Sequence, residues 1–324
     1  MNLLRRLNRR YLLRYRAEYM LVLFVAYGIK ALSPAFAWKL ARGAAFVLYH
    51  AGVRRHAMLH NLGIAFPEWS DQQRRRVAML SLQHFASMAV DVMFQRRMVS
   101  PRSVERHFVT TGWARDYMAK HGPEGFRRRA TRILFSTAHL GNWELASGYF
   151  SLLGVRISPV YRATNNPWLN RLIRKLRLDQ QTAVIERRGA VQQMLDTFER
   201  NENVGILCDQ SAVHGIYVPF FGVEACTHKT PAVLIRDYGV GVVQGVVIRK
   251  GDFLRYEVRG RLLEFDPPTD DRDADLHRIT RQLLQNVEEE VRRFPEQYFW
   301  LHRRFKRSPQ AAAAGRRSQE VETQ

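Results

Sequence analysis

Acidic residues are scarce in this chain. Its 324 residues carry 30 Asp and Glu against 51 Lys and Arg, a formal net charge of +21. A surface so short of negative charge attracts polyanions: nucleic acid, an anionic membrane face, an acidic protein or a phosphorylated lipid. Cysteine is scarcer still. Cys208 and Cys226 are too few for a disulfide scaffold, and no Cys-x-x-Cys pair points to zinc. No apolar run reaches the roughly 18–20 residues that span a bilayer. A mean hydropathy of −0.32 excludes a polytopic membrane protein. There is no internal repeat, and no Gly-x-Ser-x-Gly elbow for a serine hydrolase. Hydrophobic residues at 46% and charged residues at 25% are globular values and exclude a disordered or collagen-like chain.

The basic excess begins at the amino terminus. Arg5, Arg6, Arg9, Arg10, Arg14 and Arg16 precede an apolar run, Tyr19 to Ile29, and a second apolar stretch runs from Gly43 to Val53. Both are shorter than a span. They fit an interfacial anchor whose arginines lie against anionic head groups on the cytoplasmic side. Two rival readings stay open: a signal peptide with Ala35-Phe36-Ala37 as its cleavage site, and a core helix with a solvated basic face.

Residues 17–121 read as mostly helical, with Ser70 capping a helix that starts near Asp71. From about Arg132 short apolar runs alternate with helical periods. Strands are expected at Ile133–Thr137, Val155–Tyr161, Thr182–Ile185 and Val204–Cys208, with helices at 142–153, 167–178 and 190–200 between them. Such alternation predicts an α/β fold with a mixed, largely parallel central sheet flanked by helices. Val242–Ile248 and Phe253–Val258 read as a hairpin, and Asp273–Phe294 as an amphipathic helix. The expected organisation is a helical membrane-associating region over 1–60, an α/β domain over 61–309 and a disordered tail over 310–324.

The segment Ser136-Thr-Ala-His139-Leu-Gly-Asn-Trp-Glu144 carries the chemistry. His139 falls just past a strand, and ligand sites of open α/β sheets lie beyond the carboxyl ends of strands. Five residues amount to about 500° of helix, so His139 and Glu144 meet only if the histidine is in the turn and the carboxylate in the first turns of the helix. A carboxylate on one imidazole nitrogen fixes the tautomer and makes the other nitrogen a base for a hydroxyl. A zinc site lacks further His or Cys at ligand spacing nearby.

His139-x-x-x-x-Glu144 in this setting resembles the HxxxxD/E motif of glycerolipid acyltransferases. The wider chain, over most of residues 14–309, resembles the lipid A biosynthesis lauroyl/myristoyl acyltransferases. The blocks are Tyr15-Arg-Ala-Glu-Tyr19, Asn61-Leu62 with Phe66-Pro-Glu68, Ala138 to Glu144, Val160-Tyr-Arg162, Asn166-Pro167, Asp209-Gln210, Val218-Pro-Phe-Phe-Gly222 with Ala225 and Thr227, and Pro295 to Trp300 with His302, Arg304 and Lys306. Lys229-Thr230-Pro231 departs from the small residue more usual there.

The resemblance implies an O-acyltransferase that moves a fatty acyl group from an acyl carrier protein thioester to a hydroxyl of a lipid A precursor. The other acceptor readings are another glycolipid or phospholipid, with acyl-CoA as the other donor. It implies no cofactor beyond the thioester co-substrate, no nucleic acid, and a place on the cytoplasmic face of a bacterial inner membrane. His139 is then the general base and Glu144 its orienting partner. Arg162 meets a substrate phosphate or the catalytic region, with a surface ion pair the other reading, and Asp209 and Gln210 bind the acceptor or support the loop. Asn142, with Gly141, offers amides to the oxyanion. Phe220, Phe221 and Trp143 are candidate walls of an acyl groove, with core packing the other reading for the phenylalanines. Arg171, Arg174, Lys175 and Arg177, and His302, Arg304 and Lys306, are candidate basic faces for a carrier, membrane or phosphate, or merely solvated.

Overall fold

A computed structural model describes residues 2–129, 131–178, 184–186, 189–251 and 253–309. Four helices come first: α1 (Asn2–Ala31), α2 (Pro34–His50), α3 (Arg55–Ala65) and α4 (Asp71–Met98). Their starts follow local chemistry. The Ser33 hydroxyl accepts from the Phe36 amide and Pro34 opens α2. Ser70 and Gln73 form a reciprocal capping box at α4, each side chain bonding the other's amide. Glu18 of α1 accepts from the Asn166 side chain at 3.2 Å, which also donates to the Tyr15 carbonyl at 2.8 Å. Two of the sequence blocks thus meet in space.

The order then becomes α5 (Val104–His107), β1 (Phe108–Gly112), α6 (Trp113–Arg129), β2 (Ile133–Thr137), α7 (Glu144–Leu152), β3 (Ile157–Tyr161), α8 (Pro167–Leu178), β4 (Ile185–Glu186), α9 (Ala190–Glu199) and β5 (Asn203–Leu207). After it come β6 (Ser211–Phe220), β7 (Val223–Thr227), α10 (Thr230–Tyr238), β8 (Gly241–Arg249), β9 (Tyr256–Leu263) and α11 (Arg272–Arg293). Seven strands form one sheet in the order β1-β9-β8-β2-β5-β3-β4. Its pairs are parallel except β8 with β9, the expected hairpin. The α/β prediction therefore holds. β1 lies in the stretch read as helical. The separate antiparallel pair β6–β7 was not anticipated. Thr182 and the tail from 310 lie outside the described residues.

Both faces of the sheet are covered. Leu145, Tyr149 and Phe150 of α7 pack on Phe135, Val243, Val247 and Val258. Met194 and Phe198 of α9 and Leu276, Ile279 and Leu283 of α11 pack with Leu134, Val204 and Val242. A third cluster joins α3 and α4 to β6, β7 and Trp300. Among the described residues α4 alone is long and apolar enough to cross a membrane, yet half of its most apolar stretch is buried inside the protein. That buried side holds polar residues as well. Ser81, His84, Asp91 and Gln95 recur at helical spacing among Leu82, Met88 and Phe94.

Candidate active site

Parallel register brings the chemistry together. Thr137 at the end of β2 lies opposite Leu207 at the end of β5. The residues two positions further on, His139 and Asp209, are therefore neighbours. His139 Nδ1 is 2.8 Å from Asp209 Oδ1, and the His139 amide donates to Asp209 Oδ2 at 3.0 Å. Asp209 is 2% exposed while the imidazole keeps 17% of its side chain open. Burial alone would raise the Asp209 carboxyl. The His139 charge and the bonds from its ring and amide outweigh burial and hold it below the ordinary carboxylate value. An ionised Asp209 accepts from Nδ1, so in the neutral ring that nitrogen carries the hydrogen and Nε2 holds the lone pair. Gln210 Nε2 stands 3.0 Å from that Nε2.

The sequence reading made Glu144 the orienting partner of the imidazole; the structure puts Asp209 on its Nδ1. Sequence alone could not place β5 beside β2, and that neighbourhood decides the pairing. Glu144 opens α7 and accepts from the Trp143 indole at 3.2 Å. Trp143 in turn meets the His139 ring edge-on, with centroids 4.9 Å apart. Phe299 flanks the same ring at 5.9 Å, and Phe85 packs against both aromatics, tilted on Trp143 and edge-on to Phe299.

The loop holding His139 is tied at every peptide. The His139 carbonyl accepts from Phe299, the Gly141 amide donates to Gln297, and the Asn142 amide donates to Val247. The amides of Gly141 and Asn142 are thus spent and do not face an oxyanion. Asn142 is fully buried, its side-chain amide donating to the Tyr256 hydroxyl at 3.4 Å, so it is a support of the loop rather than a cleft residue. Tyr256 also donates its hydroxyl to Asp91, which accepts from the Arg249 guanidinium as well. Gln297 grips Arg249 by both its backbone groups. From α4, His84 Nε2 reaches the Gly141 carbonyl at 3.1 Å and the Ser81 hydroxyl reaches the Tyr298 carbonyl at 2.7 Å. Burial first, then the Arg249 charge, lower His84 to about 3, against the pull of the Gly141 carbonyl. The ring is neutral and Nε2 is its donor. Sequence reading missed this set, although polar residues on the apolar face of α4 were its signal.

The remaining candidates divide. Arg162 follows the end of β3 and is exposed at the carboxyl edge of the sheet. Phe220 and Phe221 are buried in the core, Phe221 against Phe66 and Trp300 and Phe220 against Phe305. Arg304 is not on a solvated face either. It is 3% exposed, donates to the Cys226 carbonyl and the Thr227 hydroxyl at 2.8 and 2.6 Å, and ties the carboxyl-terminal segment to β7. Arg174 pairs with Glu186, Arg171 and Lys175 are exposed, and the Arg177 side chain is outside the described ones. Burial raises the Cys208 thiol to about 12 and leaves it inert. Among the described residues no cluster of His, Cys, Asp and Glu stands ready for a metal.

Trp143 has a second role. It lines a narrow cleft between the sheet and α6 and α7 whose water-accessible volume is about 90 Å³. Phe135, Phe150, Ile157, Val160, Val243, Val247 and Val258 make most of its wall, and Glu144 lies at it too. An apolar slot beside a histidine base suits a substrate with a hydrocarbon chain.

The profile of the bacterial lipid A biosynthesis acyltransferases matches residues 6–307. The chain belongs to that family. It is 30% identical over 267 residues to the lipid A biosynthesis lauroyltransferase of Escherichia coli (strain K12), covering 79% of this chain and 81% of that protein. The palmitoleoyltransferase of the same organism is 23% identical over 255 residues, covering 77% and 78%. Its myristoyltransferase is 23% identical over 251 residues, covering 76% and 73%. An acyltransferase of this family needs a base and a place for an acyl chain. His139 and the cleft beside it are the groups of the right chemistry.

Proposed function

We propose that this protein transfers a fatty acyl group from an acyl carrier protein thioester to a hydroxyl of a phosphorylated lipid A precursor. One observation carries the mechanism: His139 Nδ1 is held by buried Asp209, and Trp143, in edge contact with the same ring, lines an apolar cleft. The acceptor hydroxyl takes the place of the Gln210 amide at Nε2. Its oxygen attacks the thioester carbonyl carbon as its proton passes to Nε2. The C–S bond then breaks and the thiolate leaves with that proton. No acyl-enzyme forms, and the atoms balance without a cofactor or metal. The Gln210 amide, displaced by one hydroxyl's width, donates to the oxyanion in place of the committed loop amides. Arg162, at the same sheet edge, meets an anionic group of a substrate.

The amino-terminal helices supply the membrane contact. Leu13, Met20, Leu21, Phe24 and Tyr27 of α1 and Phe36, Leu40, Val47 and Leu48 of α2 are exposed apolar side chains at helical spacing. Such faces lie in the interface of an anionic bilayer, with the basic charge of the chain toward its head groups. The inner membrane's cytoplasmic face, where acyl carrier protein is found, is the place this implies.

The test is acyl transfer by purified full-length protein, with acyl carrier protein and coenzyme A thioesters offered in parallel. His139→Ala should abolish turnover and leave folding by circular dichroism unchanged. Retained turnover in that variant removes the mechanism. Mass spectrometry of lipid A from cells with and without the gene should show one secondary acyl chain missing.

A further inference from the structure

A groove between α3 and the carboxyl-terminal segment is lined by His56, Ala57, His60, Asn61, Arg303 and Lys306. His56 and His60 stand one helical turn apart, ring centroids 6.4 Å from each other. Both histidines, Arg303 and Lys306 are exposed. Among the described residues none of the four holds a carboxylate, whereas Arg236, Arg272, Arg278 and Arg292 each do. Four nitrogen donors from two elements thus converge with no anion of the protein's own. Asn61 beneath them is 1% exposed. Its Nδ2 is spent on the Trp300 and His302 carbonyls at 2.8 and 2.7 Å, but its Oδ1 is buried without a partner. The site offers donors for a dianion and one acceptor for a hydroxyl. The chemistry that matches is a phosphorylated sugar.

The groove shares no lining residue with the apolar cleft, so a fatty chain in the cleft leaves it open. It also adjoins the base. Asn61 holds the Trp300 carbonyl at 2.8 Å, and the preceding residue, Phe299, donates its amide to the His139 carbonyl at 2.9 Å. We propose that this groove binds a phosphate of the acceptor lipid, with a sugar hydroxyl donating to Asn61 Oδ1, and so delivers another hydroxyl of the same molecule to His139. This rests on the acyl-transfer reading above and adds the subsite that selects the acceptor.

The experiment uses full-length protein in detergent, a phosphorylated lipid A precursor, and the same lipid after phosphatase treatment. The variants are Arg303→Met with Lys306→Met, which keeps the side-chain stems, and His56→Gln with His60→Gln. Each pair should raise KM for the phosphorylated acceptor about tenfold or more and leave KM for the acyl donor unchanged. The preference for the phosphorylated over the dephosphorylated acceptor should fall with it. An unchanged preference overturns the proposal. So does a rise in donor KM instead, which would make the groove a carrier surface. Lost co-sedimentation with phosphatidylglycerol vesicles at unchanged acceptor KM overturns it as well, in favour of a membrane patch. Equilibrium binding of the two lipids without any donor separates this from the functional reading. Should the protein fail to turn over a thioester, tighter binding of the phosphorylated lipid that the variants abolish still supports the groove, and equal binding of both lipids sinks it.

Discussion

Asp209 and His139 hold each other twice, through Nδ1 at 2.8 Å and through the His139 amide at 3.0 Å. The second bond fixes the carboxylate against rotation, so the first is aimed. Asp209→Asn puts an NH2 group against one of two N–H donors and cannot satisfy both. The expected result is a loss of kcat of about 100-fold or more with modest change in KM. Glu144→Gln keeps a carbonyl oxygen for the Trp143 indole and should cost no more than about tenfold. Steady-state kinetics on the two variants decides. A larger loss from Glu144→Gln would return the orienting role to Glu144.

His84 reaches the Gly141 carbonyl from a different element, two residues from the base. His84→Leu removes the donor and leaves a buried carbonyl unpaired, which costs about 1–3 kcal/mol. The loop should lose its aim. We expect kcat to fall at least about tenfold while KM for both substrates stays near wild type. His84→Gln places an N–H near the position of Nε2 and should recover most of the rate. A packing role alone predicts the opposite order, because Leu fills the apolar part of the site at least as well. Thermal melts alongside the kinetics distinguish the two.

These contacts show where sequence reading stops. The strand ends of β2 and β5 were legible, because Ile133–Thr137 and Val204–Cys208 are short apolar runs between helical periods. Asp209 and His139 were each recognised at a strand's carboxyl end. That they touch depends on β5 lying next to β2, a matter of sheet order that no local pattern encodes. β1 escaped notice because Phe108–Gly112 is a five-residue edge strand following directly on a helical turn. The Phe220–Phe221 pair stayed open between groove and core, and Arg304 between ligand and solvent, for one reason. Charge and aromaticity announce a residue type, and only packing tells whether cation or ring faces water, ligand or core. The buried polar stripe on α4 was legible in principle, since Ser81, His84 and Asp91 break an otherwise apolar face at helical spacing.

Acid should destabilise the fold earlier than its carboxylates alone would. His84 is lowered from 6.5 to about 3 in the folded protein, by burial first and the Arg249 charge second. Between those values the unfolded chain binds a proton that the folded chain refuses. Stability is therefore fully present above about pH 6.5 and falls by about 1.4 kcal/mol per unit below it. From pH 6.5 to 5 the loss is about 2 kcal/mol from this group. His302, lowered to about 4 mainly by burial, acts in the same direction. Asp209, depressed below its ordinary value, adds its share only below about pH 4. Denaturant midpoints across pH 7.5 to 5 check this, and His84→Gln should flatten the curve. An equally steep slope in that variant would place the acid sensitivity elsewhere.

Gly141 is the point where the loop passes closest to β8. Its φ is +65°, and a Cβ there would lie 2.0 Å from the Val247 carbonyl oxygen and 3.2 Å from the Ile248 Cα. Backbone cannot step aside as a side-chain tip can, and that same carbonyl accepts the Asn142 amide at 2.7 Å. Gly141→Ala must push the loop off the strand or break that bond. Gly52 provides the comparison. Its φ is +87°, but nothing lies within 4 Å of a Cβ placed there. Gly52→Ala should carry only the conformational strain of about 1–2 kcal/mol, whereas Gly141→Ala should lose at least about 2 kcal/mol more and nearly all acyl transfer with it. Urea unfolding of both variants gives the difference directly. Equal costs at the two glycines would mean that the loop is free to move, and a base that moves with it could not be the aimed imidazole on which acyl transfer depends.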